Sequence, residues 1–230
     1  DVEMNFMYHE QLANNLLNKI DDKTILQKQK AVEKISLSKR KRALAYYKKG
    51  ESFWGKKRTS FAINQFQKCI KLNPFHINCL WRLAEYYEQK KRNQLALKYY
   101  STLTIVQSNN ELVFYRRGLI YNSLDKKNKS INDFNRALII KPKFIWARYN
   151  RGLAYLSLEK YENTISDLTS VIKVKNDFEW AFFNRGVTYF LMKKYNEAVE
   201  DLTRAIKIKS NFDWAYYQRG MIYYYHLDQK

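Results

Sequence analysis

The sequence predicts an all-α protein made of antiparallel helix pairs stacked on one another, and three observations carry that prediction. First, one phrase recurs at a step of 34 residues: Phe144-Ile-Trp146-Ala-Arg-Tyr-Asn150-Arg-Gly152, then Phe178-Glu-Trp180-Ala-Phe-Phe-Asn184-Arg-Gly186, then Phe212-Asp-Trp214-Ala-Tyr-Tyr-Gln218-Arg-Gly220. Second, the closing glycine of that phrase can be followed backwards on the same lattice through Gly118 and Ala84 to Gly50. Third, helix breakers are scarce and periodic: five of the six glycines lie on the lattice, and the only prolines, Pro74 and Pro142, stand two periods apart. A fixed period of this size marks a supersecondary unit too small to bury its own apolar face, so that neighbours must stack to make a core.

The chain of 230 residues is 46% apolar and 16% aromatic, ample for a core in one elongated domain. Residues 1 to about 18 carry Phe6, Leu12, Leu16 and Leu17 at loose helical spacing, and Asp21-Asp22 can cap a second helix through Ile25, Val32 and Ile35. Lacking the small residues of the later units, residues 1–42 read as a divergent repeat or an N-terminal capping hairpin. From Ala43 the register is clear: units 43–76, 77–110, 111–144, 145–178 and 179–212, and a partial sixth over 213–230. The start at Asp1 and the stop within a repeat suggest a piece of a longer protein.

Within each unit the positions have mechanical reasons. The eighth residue is small (Gly50, Ala84, Gly118, Gly152, Gly186, Gly220), and the twentieth is Ala62, Ala96, Ser130, Thr164 or Ala198. Small groups at both places let the two helices of a hairpin approach closely. An aromatic residue at the eleventh position (Phe53, Tyr87, Tyr121, Tyr155, Tyr189, Tyr223) and a large one at the twenty-fourth (Phe66, Tyr100, Phe134, Leu168, Leu202) fill the space beside that contact. Proline at the thirty-second stops the second helix.

This pattern over residues 43–230 closely resembles the tetratricopeptide repeat. The resemblance implies a right-handed superhelical solenoid whose inner surface is built mainly from the first helix of each unit. That family usually has leucine at the seventh position, whereas this chain has Lys49, Leu83, Arg117, Arg151, Arg185 and Arg219. At the twenty-third it has Gln65 and Tyr99, then Asp133, Asp167 and Asp201. Arginine and aspartate enter together, which predicts ion pairs between neighbouring helices, since the planar guanidinium fork can bridge a carboxylate at two points.

The resemblance also implies which positions face the groove. Position two reads Leu44, Asn78, Leu112, Trp146, Trp180, Trp214, and position five is aromatic throughout: Tyr47, Trp81, Tyr115, Tyr149, Phe183, Tyr217. Position six passes from Lys48, Arg82 and Arg116 to Asn150, Asn184 and Gln218, and position nine from Glu51 and Glu85 to Leu119, Leu153, Val187 and Met221. The later half therefore predicts a partner-binding groove at Trp146, Tyr149, Asn150, Leu153, Trp180, Phe183, Asn184, Val187, Trp214, Tyr217 and Gln218, with aromatic anchors and amides able to bond a peptide backbone. Packing explains the aromatic residues equally well, but we expect the amides to serve a partner. The clamp by which related domains hold chaperone C-termini is not expected: of its five positions, filled here by Tyr47, Glu51, Arg82, Leu112 and Arg116, only the last matches.

The net charge of +20 is uneven: between Lys19 and Arg58 there are 14 basic residues against 4 acidic ones, half of the excess. A basic patch of Lys39, Arg40, Lys41, Arg42, Lys48, Lys49, Lys56, Lys57, Arg58, Arg82 and Arg116 suits an acidic protein surface or nucleic acid. Spacing of Glu51 and Glu85 predicts that Lys48 and Arg82 are partly neutralised along their own helices. His9, His76 and His226 are scattered, so no metal site is expected, and Cys69, at a core position, is read as a buried reduced thiol. No phosphate-binding loop, nucleophile elbow or dinucleotide fingerprint occurs. The expectation is a non-catalytic protein-interaction scaffold without cofactor, part of a larger multi-subunit assembly. A cytoplasmic location is expected, with nuclear or cytoskeletal sites open, and nucleic-acid or other polyanion binding is the alternative.

Overall fold

The computed structural model describes residues 34–227. The hairpin expected over 1–42 falls for the most part outside the described residues. Among them every regular element is a helix: α1 Leu37–Gly55, α2 Thr59–Leu72, α3 Ile77–Gln89, α4 Asn93–Val106, α5 Glu111–Ser123, α6 Lys127–Ile140, α7 Ile145–Leu156, α8 Tyr161–Val174, α9 Glu179–Leu191, α10 Tyr195–Ile208 and α11 Asp213–Ile222, the last running on into a wide π turn over Tyr223–Leu227. The all-helical class expected from the period is present. Two compact units divide at Val113 and Phe114.

Close packing within each hairpin follows from the small residues. Ala62, Ala96, Ser130, Thr164 and Ala198 at the twentieth position are all fully buried. At the eighth, a Cβ on Gly118 would stand 2.8 Å from the Phe134 ring, and one on Gly186 would stand 3.1 Å from the backbone oxygen of Ala198. Large residues at the twenty-fourth position (Phe66, Tyr100, Phe134, Leu168, Leu202) are fully buried beside them.

The turn inside each hairpin repeats as well. Lys57, Lys91, Asp125, Glu159 and Lys193, each the fifteenth residue of its unit, have φ between 54° and 61°. The next residue donates its N–H to the carbonyl of the aromatic eleventh: Arg58 to Phe53 at 2.9 Å, Arg92 to Tyr87 at 2.8 Å, Lys126 to Tyr121 at 2.8 Å, Lys160 to Tyr155 at 3.0 Å and Lys194 to Tyr189 at 2.9 Å. That bond and the left-handed residue form a Schellman closure, which satisfies carbonyls at the end of the first helix.

Successive units meet in a recurrent apolar seam. At the last three junctions, position twenty-seven of one unit and positions thirty-four and three around the next helix start share a cluster: Ala137, Phe144 and Ala147; Val171, Phe178 and Ala181; Ala205, Phe212 and Ala215. In the first seam the same positions hold Cys69, His76 and Cys79. The two sulfurs are joined as a disulfide, which corrects the expectation of a reduced thiol. Ten residues separate the cysteines in sequence, but the loop after α2 folds back, leaving their Cα atoms 6.7 Å apart and both side chains fully buried.

Candidate functional site

Arg117 and Asp133, Arg151 and Asp167, and Arg185 and Asp201 make three two-point ion pairs, each with donor–acceptor distances between 2.6 and 2.8 Å. They join the two helices of one hairpin, as the sequence pattern predicts. The carboxylates are only 3–4% exposed. Burial pushes the Asp201 carboxyl up, opposed by the Arg185 fork, while Asp201 raises Arg185 above the ordinary guanidinium value. The remaining Nη1 reaches the preceding unit: Arg151 donates to Asn135 at 2.6 Å, Arg185 to Thr169 at 2.9 Å and Arg219 to Thr203 at 3.0 Å. Each of Arg151 and Arg185 therefore ties three helices together.

Above these pairs, α7, α9 and α11 lie side by side and carry the residues expected to face a groove. Trp146 meets Phe178 edge-on at 5.3 Å and Trp180 meets Phe212 at 4.7 Å, yet they keep 49% and 37% of their surface exposed. Trp214 and Tyr217 are more open still, at 66% and 61%. The tryptophans thus combine packing with presentation. Leu153 and Val187, seven residues further along the helices of Trp146 and Trp180, are half-buried.

The amides have a use that the sequence reading denied them. Asn150 Nδ2 donates to its own helix at Trp146 O (2.8 Å) and lies 3.3 Å from the Tyr115 hydroxyl. Asn184 repeats the arrangement with Trp180 O (2.7 Å) and the Tyr149 hydroxyl (3.1 Å). A backbone carbonyl only accepts, so the amide nitrogen must point at it and the oxygen must point away. These amides therefore clasp the position-five tyrosine of the preceding unit, and what they leave open is Oδ1, an acceptor. Gln218 follows Phe183, which has no hydroxyl to clasp. Burial, with Glu179 adding to it, pushes the Tyr149 phenol up to about 12, against the bond from Asn184.

In the first unit of the fold the same faces are filled differently. Arg82 binds Glu51 with both fork positions, at 2.8 and 2.7 Å, and lies over the Trp54 ring. Neutralisation of Arg82 therefore comes chiefly from Glu51 of the preceding unit, and not chiefly from Glu85 along its own helix as the spacing predicts. Trp81 donates to Gln107 at 2.7 Å and packs edge-on against Tyr100. Of the basic patch, Lys39, Lys41, Arg42, Lys48 and Lys49 are exposed on α1, and Lys56, Lys57 and Arg58 occupy the turn after it. Arg58 lies over the Phe53 and Phe61 rings, Arg40 Nε bonds Ile35 O at 2.9 Å, and Arg116 is on α5.

The fold brings one of the scattered histidines beside both cysteines. His76 sits at the start of α3, with Nδ1 accepting from Cys79 N–H at 3.4 Å, and its potential ligand atom and the two sulfurs all lie within 4.8 Å of one another. Burial holds the His76 imidazole below its ordinary value. The cluster escaped the sequence reading because the loop closes it; comparing the seam positions between repeats was the signal that could have found it. No helix among the described residues is long and apolar enough to cross a membrane.

Sequence profiles described as tetratricopeptide repeat match residues 179–212 and residues 43–76 and 147–178, and one described as TPR repeat matches 118–159. No curated protein matches the sequence. Among solved structures, YrrB, described as a TPR protein with an unusual peptide-binding site, is similar over 84% of this chain and 97% of its own, with a TM-score of 0.72 at 19% identity. MamA matches 74% of this chain and 92% of its own, with a TM-score of 0.68 at 21% identity. A tetratricopeptide repeat protein from Parabacteroides merdae matches 80% and 73%, with a TM-score of 0.69 at 21% identity.

Proposed function

This chain belongs to the tetratricopeptide repeat family, and on that premise we propose that it is a non-catalytic scaffold holding an extended or helical segment of a protein partner across α7, α9 and α11, within a larger assembly. The observation that carries the reading is the repeated unit of an exposed tryptophan beside an open amide oxygen: Trp146 with Asn150, and Trp180 with Asn184. Residues four apart share one helix face. Aromatic side chains supply buried area to an interface at little entropic cost, and the half-buried Leu153 and Val187 add apolar surface two turns further along the same helices. Because the amides present only oxygen, they accept, and the matching donors on a peptide are its backbone N–H groups. YrrB, which has this fold, is described as carrying a peptide-binding site; its likeness supports the fold's capacity and identifies no ligand here.

The test is selection of peptides from a displayed random library against the whole chain. Peptides so obtained should bind wild-type protein and lose about tenfold or more against Trp146→Ala with the helical content unchanged, as expected for a central aromatic anchor. Enrichment of no peptide, or equal affinity for the variant, contradicts the reading.

A second reading, polyanion binding, is favoured by one observation. Lys39, Lys41, Arg42, Lys48 and Lys49 are exposed on one helix, and among the described residues none of them has an ion-pair partner. Binding of this kind should weaken log-linearly between about 50 and 200 mM salt. The protein reading predicts a shallow slope over that range.

A further inference from the structure

In the three later seams, positions twenty-seven, thirty-four and three make an apolar cluster of small residues around a phenylalanine. In the first seam the three positions hold the chain's only two cysteines and one of its three histidines. Packing alone asks for nothing of the kind, since alanine, valine and phenylalanine serve at the same places. His76 does keep the packing role, with its ring 5.2 Å from Tyr47 just as Phe144 lies 4.9 Å from Tyr115. What the substitution adds is a set of soft and borderline donors, converging to within 4.8 Å of one another.

We propose that Cys69, His76 and Cys79 form a redox-gated site for a thiophilic divalent cation of the zinc class. Two thiolates and an imidazole are a preferred zinc donor set, and tetrahedral geometry leaves a fourth position for water or another donor. With the sulfurs joined, as in this structure, the site is closed. Its opening is a two-electron step: a dithiol reductant gives two electrons and two protons to the disulfide, which becomes two thiols while the dithiol becomes a disulfide. The cation then binds both sulfurs as thiolates, releasing two protons. In either state the end of α2 is fastened to the start of α3, covalently when oxidised and by coordination when reduced and metal-loaded. Only the reduced, metal-free chain loses the fastener.

The experiment uses the whole chain, reduced with a phosphine, freed of reductant and metal under argon, and titrated with cobalt(II) chloride. The proposal expects a single equivalent to bind with the visible bands of tetrahedral cobalt and thiolate charge transfer in the near ultraviolet, and zinc to displace it. Untreated, disulfide-bonded chain should show neither. His76→Phe, which installs the residue of the later seams, should keep the fold yet weaken cobalt binding by about tenfold or more. Cys79→Ser should abolish the charge-transfer band. The proposal is overturned if reduced chain with two titratable thiols gives no tetrahedral spectrum, if His76→Phe binds as tightly as wild type, or if reduction alone unfolds the helices so that no site remains. A spectrum that survives in Cys79→Ser overturns it equally.

Discussion

The first two repeats and the last three solve one mechanical problem with different chemistry. In the later three, a two-point arginine–aspartate pair crosses each hairpin beneath the small eighth residue. In the first two, the matching positions hold Lys49 with Gln65, and Leu83 with Tyr99. Leu83 is fully buried, Tyr99 stacks on Tyr87 at 5.7 Å, and Gln65 Oε1 is buried with no partner among the described residues. At the seams the contrast is reversed: alanine, valine and phenylalanine pack in the later units, while a disulfide ties the first. A repeat fold fixes the places where helices must be fastened and leaves the kind of fastener open. Where the later units use arginine for packing, the face expected to line the groove carries aromatic and amide groups; in the early half the same face carries the Arg82–Glu51 pair.

The largest effect should come from breaking the buried pair. Asp167→Ala strands Arg151, itself buried, and should lower unfolding free energy by roughly 3–5 kcal/mol in denaturant titration. At the equivalent position of the second repeat, Tyr99→Phe removes no hydrogen bond and should change stability by less than about 0.5 kcal/mol. Equal costs would erase the distinction between the two halves.

Next is the disulfide. It closes a loop of ten residues' separation, so reduction in metal-free buffer should cost about 3 kcal/mol by loop entropy. A smaller loss would mean that packing around the two cysteines and His76 already holds the first seam. Glycines sharpen the hairpin argument within the later half. Gly186→Ala places its Cβ 3.1 Å from the Ala198 backbone oxygen and should destabilise by about 1–3 kcal/mol. Gly220→Ala meets nothing within 4 Å and should stabilise by up to about 1 kcal/mol, through helix propensity.

The smallest effect concerns the clasp. Tyr149→Phe removes the acceptor of Asn184 and should cost about 1 kcal/mol. The pH dependence follows from the raised phenol. The unfolded tyrosine ionises near 10.0, whereas folded Tyr149 keeps its proton to about 12. The unfolded state thus binds fewer protons in that window, and stability falls as pH rises through it. In Tyr149→Phe that part of the alkaline decline should vanish; an unchanged slope would show the phenol to be unburied in solution.

Much of the architecture was legible because a period of 34 residues repeats every packing decision, and Gly152, Leu168 and their counterparts vary only within one size class. The arginine–aspartate pairs were legible for the same reason, since both partners switch identity between the same two repeats. The left-handed turn residue was not. Lys57, Asp125 and Glu159 carry no glycine-like signal, because the closure is imposed by the hairpin around them. The amide clasp joins residues 35 apart, across a repeat boundary, so single-unit reasoning assigned those amides wholly to a partner. Its trace was present in the sequence: position five of the preceding unit is a tyrosine for Asn150 and Asn184 (Tyr115 and Tyr149) but a phenylalanine, Phe183, for Gln218. The cysteine–histidine cluster likewise exists only across a boundary, where spacing along the chain has no meaning.

The account turns on open amide oxygens beside exposed tryptophans, and the most direct measurement is a backbone N-methyl scan of a peptide selected against the chain. Each methyl group removes one N–H donor and leaves the side chains intact. The account predicts that methylation at one or two positions weakens binding by about tenfold or more, those being the donors facing Asn150 and Asn184, with the pattern unchanged between about 50 and 200 mM salt. Affinity indifferent to methylation at every position would contradict it.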